Sequence, residues 1–203
     1  MPDNFVTTFT LQTIDIPDYA PADGIVFFIA PQDTQIPADG VGGALGVASL
    51  TTGAGEFVGV EFDNYVNGEY NDPPYSQVGI DLNSVVSSKT VEWNRESGTV
   101  VNVTVIYDSS SNTLSVAVRN SRNGEIVAIS QVVDLKEKLP PRVKFGFSAA
   151  SSSGGRQYHL AASLAAHSIT ARILPAVILF PFLRLSLRVS PLSSVALLPV
   201  AEL

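Results

Sequence analysis

As far as His159, hydrophobic and polar positions alternate in short runs separated by turn residues. Phe5, Thr7, Phe9 and Leu11 alternate with Val6, Thr8 and Thr10, which predicts a strand over Phe5–Leu11. Ile25–Ala30 is apolar throughout, as a strand buried on both faces would be. Ala44–Ser49 and Glu56–Asp63 read as further short strands, and another opens at Val78-Gly79-Ile80. Lys89–Trp93, Val100–Tyr107, Thr113–Asn120, Ile126–Val133 and Arg142–Ala149 continue the series. Pro17-Asp18-Tyr19-Ala20-Pro21, Asp108–Asn112, Arg122-Asn123-Gly124 and Leu139-Pro140-Pro141 punctuate it as turns. Gln32–Gly43 is a long loop, and long loops in compact domains are often functional. Regular short strands, with no helix of normal length before residue 160, predict an all-β antiparallel sandwich or barrel.

Composition narrows the function. The chain has 203 residues, 45% of them hydrophobic and 15% charged, enough for one packed domain. Its net charge is −7 and no basic patch stands out before residue 140, which argues against nucleic acid as a partner. The absence of Cys excludes disulfides and thiolate chemistry. No nucleophile elbow or phosphate loop appears, and neither His159 nor His167 has a catalytic partner at a recognisable spacing. Trp93 reads as a core or half-buried strand residue, and Asn102-Val103-Thr104 is a glycosylation sequon on a predicted strand.

The chemistry concentrates in Val58–Ser84. Val58, Val60 and Phe62 face one way, while Glu61 and Asp63 send two carboxylates from the other face. Carboxylates held so close repel unless a positive group stands between them. The loop that follows offers oxygen donors: Asn67, Glu69, Asn71 and Asp72. Calcium takes six to eight oxygens at roughly 2.3–2.6 Å, and such a loop supplies them. The plain reading of Asn, Asp and Gly between strands is a solvated turn. An EF-hand fails, because its twelfth position counted from Asp63 is Pro74. A glycosidase pair of the form Glu-x-Asp-x-x-Glu fails too, because Val66 stands where the second Glu belongs.

The pattern Glu61-Phe62-Asp63-x-Tyr65-x-Asn67, then Asp72-Pro73, then Val78-Gly79-Ile80-Asp81-Leu82-Asn83-Ser84, resembles the metal-binding segment of the legume lectins. Three more segments resemble that family in the same order: Ala22–Pro31 its Ala-Asp-Gly strand, Gly42–Gly46 its glycine loop, and Val143–Ala149 the strand before its specificity loop. The likeness runs from about Phe5 to His159 and implies a jelly-roll-like β-sandwich, a carbohydrate-binding protein without catalytic activity, and calcium and manganese as cofactors. By resemblance, Glu61, Asp63, Asp72 and a His hold the transition metal; the His position is Gln77 here, which leaves calcium as the better supported ion. Asp63 and Asp72 also reach calcium, with the Tyr65 carbonyl and the Asn67 side chain, and Ser87 matches a position that holds a metal-bound water. The implied sugar site comprises Asp23 after a cis peptide bond, the Gly43 amide, the Tyr65 ring, Asn67, and a variable loop, Ser152–Gln157, containing Gly155 and Arg156. The implied partners are mono- or oligosaccharides and glycoproteins, with homodimers or tetramers usual in the family. Gln77 also leaves open a storage or defence protein of this fold that has lost sugar binding.

Two ends depart from the family pattern. Strands that precede the Phe5–Leu11 segment in the family have no counterpart, so unpaired sheet edges are expected. Residues 160–203 are rich in Leu, Ala, Ser, Pro and Arg and match nothing; a frameshift or an unspliced intron accounts for such a change. The resulting division is 1–159, a partial lectin-like domain, and 160–203, a hydrophobic tail. Ile173–Leu183 is apolar but too short to span a membrane and contains Pro175 and Pro181. The family is secreted or vacuolar, while Met1-Pro2-Asp3-Asn4 begins no signal peptide.

Overall fold

The computed structural model describes residues 4–152, 155–168 and 196–202. The strands are β1 (Asn4–Asp15), β2 (Gly24–Pro31), β3 (Ala54–Asp63), β4 (Gln77–Ser84), β5 (Lys89–Glu92), β6 (Val100–Asp108), β7 (Thr113–Asn120), β8 (Ile126–Val132), β9 (Val143–Ala150), β10 (Gln157–Ser168) and β11 (Ala196–Glu202). Among the described residues they form two antiparallel sheets, ordered β10-β1-β6-β7-β8 and β11-β9-β2-β3-β4-β5. Among the described residues, helix is confined to α1 (Leu135–Lys138), capped by Asp134, and two short 3-10 turns, Gly42–Ala44 and Gly68–Tyr70. None of the helices among the described residues is long and apolar enough to cross a membrane. The segment Ile173–Leu183 lies outside the described residues.

The expected all-β sandwich follows from the alternation. Phe5, Phe9 and Leu11 of β1 and Val101, Val103 and Val105 of β6 point between the sheets. They meet Ile25, Phe27 and Ile29 of β2, Val58, Val60 and Phe62 of β3, and Phe145 and Phe147 of β9. Phe9 ties the layers together: its ring centroid lies 5.4 Å from Phe27 and 4.8 Å from Phe147. Trp93 is buried and packs edge-on to Phe62 at 5.4 Å. Asn102 of the sequon lies on the exposed face of β6.

The continuous apolar run of β2 is buried at every position. Its alternate residues Val26, Phe28 and Ala30 face away from the main core into a second one. Ala44, Leu45, Val47, Ala48, Phe57, Tyr70 and Val85 complete that second core. The expected strand at Ala44–Ser49 is absent, and the reason is this cover: Leu45 (φ 51°) and Gly46 (φ 73°) bend the chain into the left-handed region. The apolar side chains of the segment then lie on the sheet instead of joining it. A strand not expected from sequence, β10, follows Arg142–Ala149 and pairs along β1 from Phe5↔Ser168 to Asp15↔Gln157. The other expected strands stand within a few residues of their expected limits.

Candidate functional site

The β3–β4 ladder sets Asp63 opposite Gln77, Glu61 opposite Gly79, and Gly59 opposite Asp81. Val60, Phe62, Val78 and Ile80 fill the main core. Alternation therefore turns Glu61, Asp63, Gln77 and Asp81 to the other face of the sheet. All four are buried, with Gln77 only 1% exposed. The loop from Asn64 to Ser76 folds back over them. Tyr65 N–H donates to Asp63 Oδ1 at 2.9 Å, and Asn67 N–H to Asp72 Oδ2 at 2.7 Å. Tyr70 anchors the loop, its ring in the second core and its hydroxyl donating to the Leu50 carbonyl at 2.9 Å.

Within the cluster, Gln77 Nε2 stands 3.1 Å from Glu61 Oε1, 3.4 Å from Asp63 Oδ2 and 3.3 Å from Asp72 Oδ1. Ser87 Oγ lies 2.6 Å from both Glu61 Oε1 and Asp81 Oδ1. A single hydroxyl proton serves only one acceptor at a time, so these two carboxyl groups compete for it. Burial, then the charge of Asp81, pushes the Glu61 carboxyl well above its ordinary value. Burial, then the charges of Glu61 and Asp72, takes Asp63 up to about 9. Burial takes Asp81 to about 7 and also raises Asp72. Gly79 lets the strands close over this group, since a Cβ there would stand 2.5 Å from Glu61 Oε1.

Asp23 sits beside the cluster at the entry to β2. Its peptide bond with Ala22 is cis, as the resemblance implies. Its N–H donates to the Ala150 carbonyl at 3.0 Å, and its carbonyl accepts from Asn64 N–H at 2.9 Å. The ends of β9 and β3 thus grip it from both sides. Asn64 Nδ2 donates to Gln157 at 2.7 Å, and Gln157 donates to Asp15, which pairs with Arg95 at 2.8 Å. The Asp23 side chain is 1% exposed, and burial raises its carboxyl to about 7 against the opposing hydrogen bond of Ser152. Its Oδ2 has no hydrogen-bond partner.

The turn Gly42–Ala44 closes over Asp23 and Asn67. A Cβ on Gly43 would lie 2.6 Å from Asn67 Oδ1, and one on Gly42 (φ +59°) would lie 4.0 Å from both Asp23 carboxylate oxygens. Asp23, Gly43 and Asn67 therefore share one pocket wall, with Tyr65 half-buried beside them. Gly155 and Arg156 are held lower, against the loop before β2. A Cβ on Gly155 would meet Ala22 Cβ at 2.5 Å, and Arg156 N–H donates to the Ala20 carbonyl at 2.8 Å. The Arg156 guanidinium lies over the Tyr19 ring at 4.6 Å. Residues 153 and 154 of the variable loop lie outside the described residues.

Asp81, Gly42, Ser152 and Gly79 contribute as well; they stand in the segments that resemble the family but were given no individual role from sequence. The signal for Asp81 was present: it shares its strand face with Gln77 and Gly79.

The donor set fits a hard cation on one side of the cluster. Asp63 and Asp72 offer oxygen only, and Asn67 adds its side-chain oxygen Oδ1, which is buried without a hydrogen-bond partner. The transition-metal position does not fit as well, because an amide nitrogen stands among its three carboxylates. Among the described residues no group of three His, Cys, Asp or Glu side chains already stands at metal-binding spacing.

Comparison with known proteins agrees with this architecture. The family model described as legume lectin domain matches residues 2–168. The chain is 67% identical over 157 residues to a galactose-binding lectin of Arachis hypogaea, covering 77% of this chain and 57% of that protein. Among solved structures, peanut lectin with a 9mer peptide aligns with a TM-score of 0.74 at 67% identity, covering 77% of this chain and 67% of that one. The lectin UEA-II complexed with galactose aligns with a TM-score of 0.73 at 32% identity, covering 80% and 71%. The chain spans just over half the length of the curated relatives it matches, 57% of the first and 55% of a non-seed lectin of Pisum sativum.

Proposed function

The chain belongs to the legume lectin family, and from that premise we propose that it is a calcium-dependent carbohydrate-binding protein without catalytic activity, selective for galactose-type sugars. The observation that carries the reading is the convergence of Asp23, the Gly42–Gly43 turn and Asn67 on one wall beside a group of buried carboxylates. Asp23 Oδ2 accepts sugar hydroxyls, the Gly43 amide donates to one, and the Tyr65 ring offers an apolar face to the C–H side of a pyranose. Asp63, Asp72, the Tyr65 carbonyl and the Asn67 side chain would hold calcium, whose fixed positive charge would keep these carboxylates ionised and the loop in place. Asn67 would serve both ligands, its side-chain oxygen available to the ion and its NH2 to a sugar hydroxyl. The galactose preference rests on the 67% identical relative of that specificity. Val66, standing where a second catalytic Glu would be needed, supports the absence of hydrolysis.

Hapten inhibition on a glycan array tests the proposal. Galactose and its glycosides should compete and mannose should not, and a chelator should abolish binding until calcium is restored. Sugar binding that survives complete chelation would overturn the mechanism.

A further inference from the structure

We propose that Gln77 supplies, with its own side-chain amide, the hub that a transition-metal ion would otherwise form, so that this chain carries one hard cation beside the pocket and not a pair. The inference rests on the assignment of Glu61, Asp63 and Asp72 to that ion within the family, but not on sugar binding.

Geometry is the first ground. Gln77 Nε2 is the common neighbour of one oxygen from each of the three carboxylates, at 3.1, 3.4 and 3.3 Å. These are hydrogen-bond distances, and bonds to a transition ion would be about 2.0–2.2 Å. The carboxylates are spread around an amide.

Donor chemistry is the second. With calcium beside them the carboxylates are ionised and only accept, so the group facing them must donate; an amide NH2 brings two protons, shared among the three acceptors. Bonds from it to carboxylates are charge-assisted and stronger than neutral ones. The other end of the same amide, Gln77 Oε1, is buried without a hydrogen-bond partner. The side chain thus turns its donors to the carboxylates and leaves its acceptor unmet. Turned the other way, it would set a further acceptor against three carboxylates.

The remaining contacts commit the rest of the group. Glu61 Oε1 also meets Ser87 Oγ at 2.6 Å, and Ser87 is in turn 2.6 Å from Asp81. Glu61 is therefore tied into the protein at the same oxygen that meets Gln77. Asp63 and Asp72 turn their second oxygens towards the Tyr65–Asn67 loop, where Tyr65 N–H and Asn67 N–H meet them. That is the side on which the all-oxygen donor set lies. With Gln77 opposite Asp63 in the ladder and 1% exposed, admitting a transition ion requires the amide to leave its three partners inside a closed site.

The test uses the whole chain, stripped with chelator and reloaded with calcium. Manganese is then titrated, with bound and free ion read by electron paramagnetic resonance and by elemental analysis after gel filtration. The wild type should take up calcium and retain no manganese. Gln77→His restores an imidazole and should bind manganese at least about 100-fold more tightly than the wild type, the upper end of what altered metal surroundings usually cost. Wild-type manganese affinity within about tenfold of Gln77→His would overturn the inference. Should Gln77→His fail to fold, the side-chain amide resonances of Gln77 in the wild type decide. They should persist when manganese is added to the calcium form; paramagnetic loss of those signals at stoichiometric manganese would overturn it. Failure to bind galactose, with calcium taken up and manganese refused, would count against the proposed function and leave this inference intact; failure to take up calcium would overturn both.

Discussion

The Cβ that Gly43 lacks would stand 2.6 Å from Asn67 Oδ1. The turn over the pocket approaches the Asn67 side chain this closely because nothing projects from that backbone position. Gly43→Ala should push Asn67 away from both the ion and the sugar. Calcium and galactose affinities, read by calorimetry, should each fall about tenfold or more, equivalent to about 1.4 kcal/mol. The fold should persist, since Gly43 itself is half-buried and belongs to neither core, although its neighbour Ala44 does. Unchanged affinities for both ligands would show that Asn67 takes no part.

Asp23→Asn keeps the shape of the side chain and replaces one acceptor oxygen with a donor. Asp23 Oδ2 is buried without a partner, so the replaced group has no second role to mask the effect. Hydrogen bonds to a charged group contribute about 1.5–3 kcal/mol each, so sugar binding should weaken by roughly 10- to 100-fold or more while calcium uptake stays near wild type. Calcium loss in parallel with sugar loss would assign Asp23 to the ion.

The carboxylate cluster makes the calcium-free protein sensitive to alkali. Burial raises Glu61, Asp63 and Asp81 above their ordinary values, with Asp81 at about 7 and Asp63 at about 9. The folded state therefore binds these protons more tightly than the unfolded state. Stability falls as pH rises from the ordinary carboxylate range, near 4, through 7 to 9. Bound calcium should remove the penalty. The drop in melting temperature caused by chelator should therefore be larger at pH 8 than at about pH 5; an equal drop at both would contradict the account.

His159 acts in the opposite sense. Burial, then the charge of Arg95, lowers its imidazole to about 4, with the Ala22 backbone partly opposing. The unfolded chain takes up this proton near pH 6.5 and the folded chain only near 4, so stability is lost as pH falls through that window. Between pH 7 and pH 4.5 this one group should cost the wild type about 2 kcal/mol. His159→Leu removes the titration, so the difference in unfolding free energy between the two proteins should move by that amount. A difference that does not change with pH would mean that the ring titrates alike in the folded and unfolded chain.

Some of this was legible before any fold was known. A period of two in Phe5–Leu11 and Val100–Tyr107 places side chains on alternate faces whatever the strands pair with, and those strands formed. The run Ile25–Ala30 announced burial on both sides, and β2 has it. The Ala44–Ser49 segment misled because its apolar content suits a strand, while Leu45 and Gly46 adopt left-handed backbone and turn it into a lid. The strand β10 was missed for a related reason: its partner β1 is remote in sequence, and that pairing leaves no local mark.

The residue types of the site were likewise written in the chain: Asp23, Glu61, Asp63, Asn67, Asp72, and Gln77 where a His was expected. What the order of residues could not state is which atom of Gln77 faces the carboxylates, or that Ser87 spans Glu61 and Asp81. Pairing of β3 with β4 brings these groups together, because register sets Gln77 opposite Asp63 and Gly79 opposite Glu61. Composition and alternation act through neighbours along one strand. Contact between charged groups depends on how separate strands align, and that alignment is a property of the packed sheets alone.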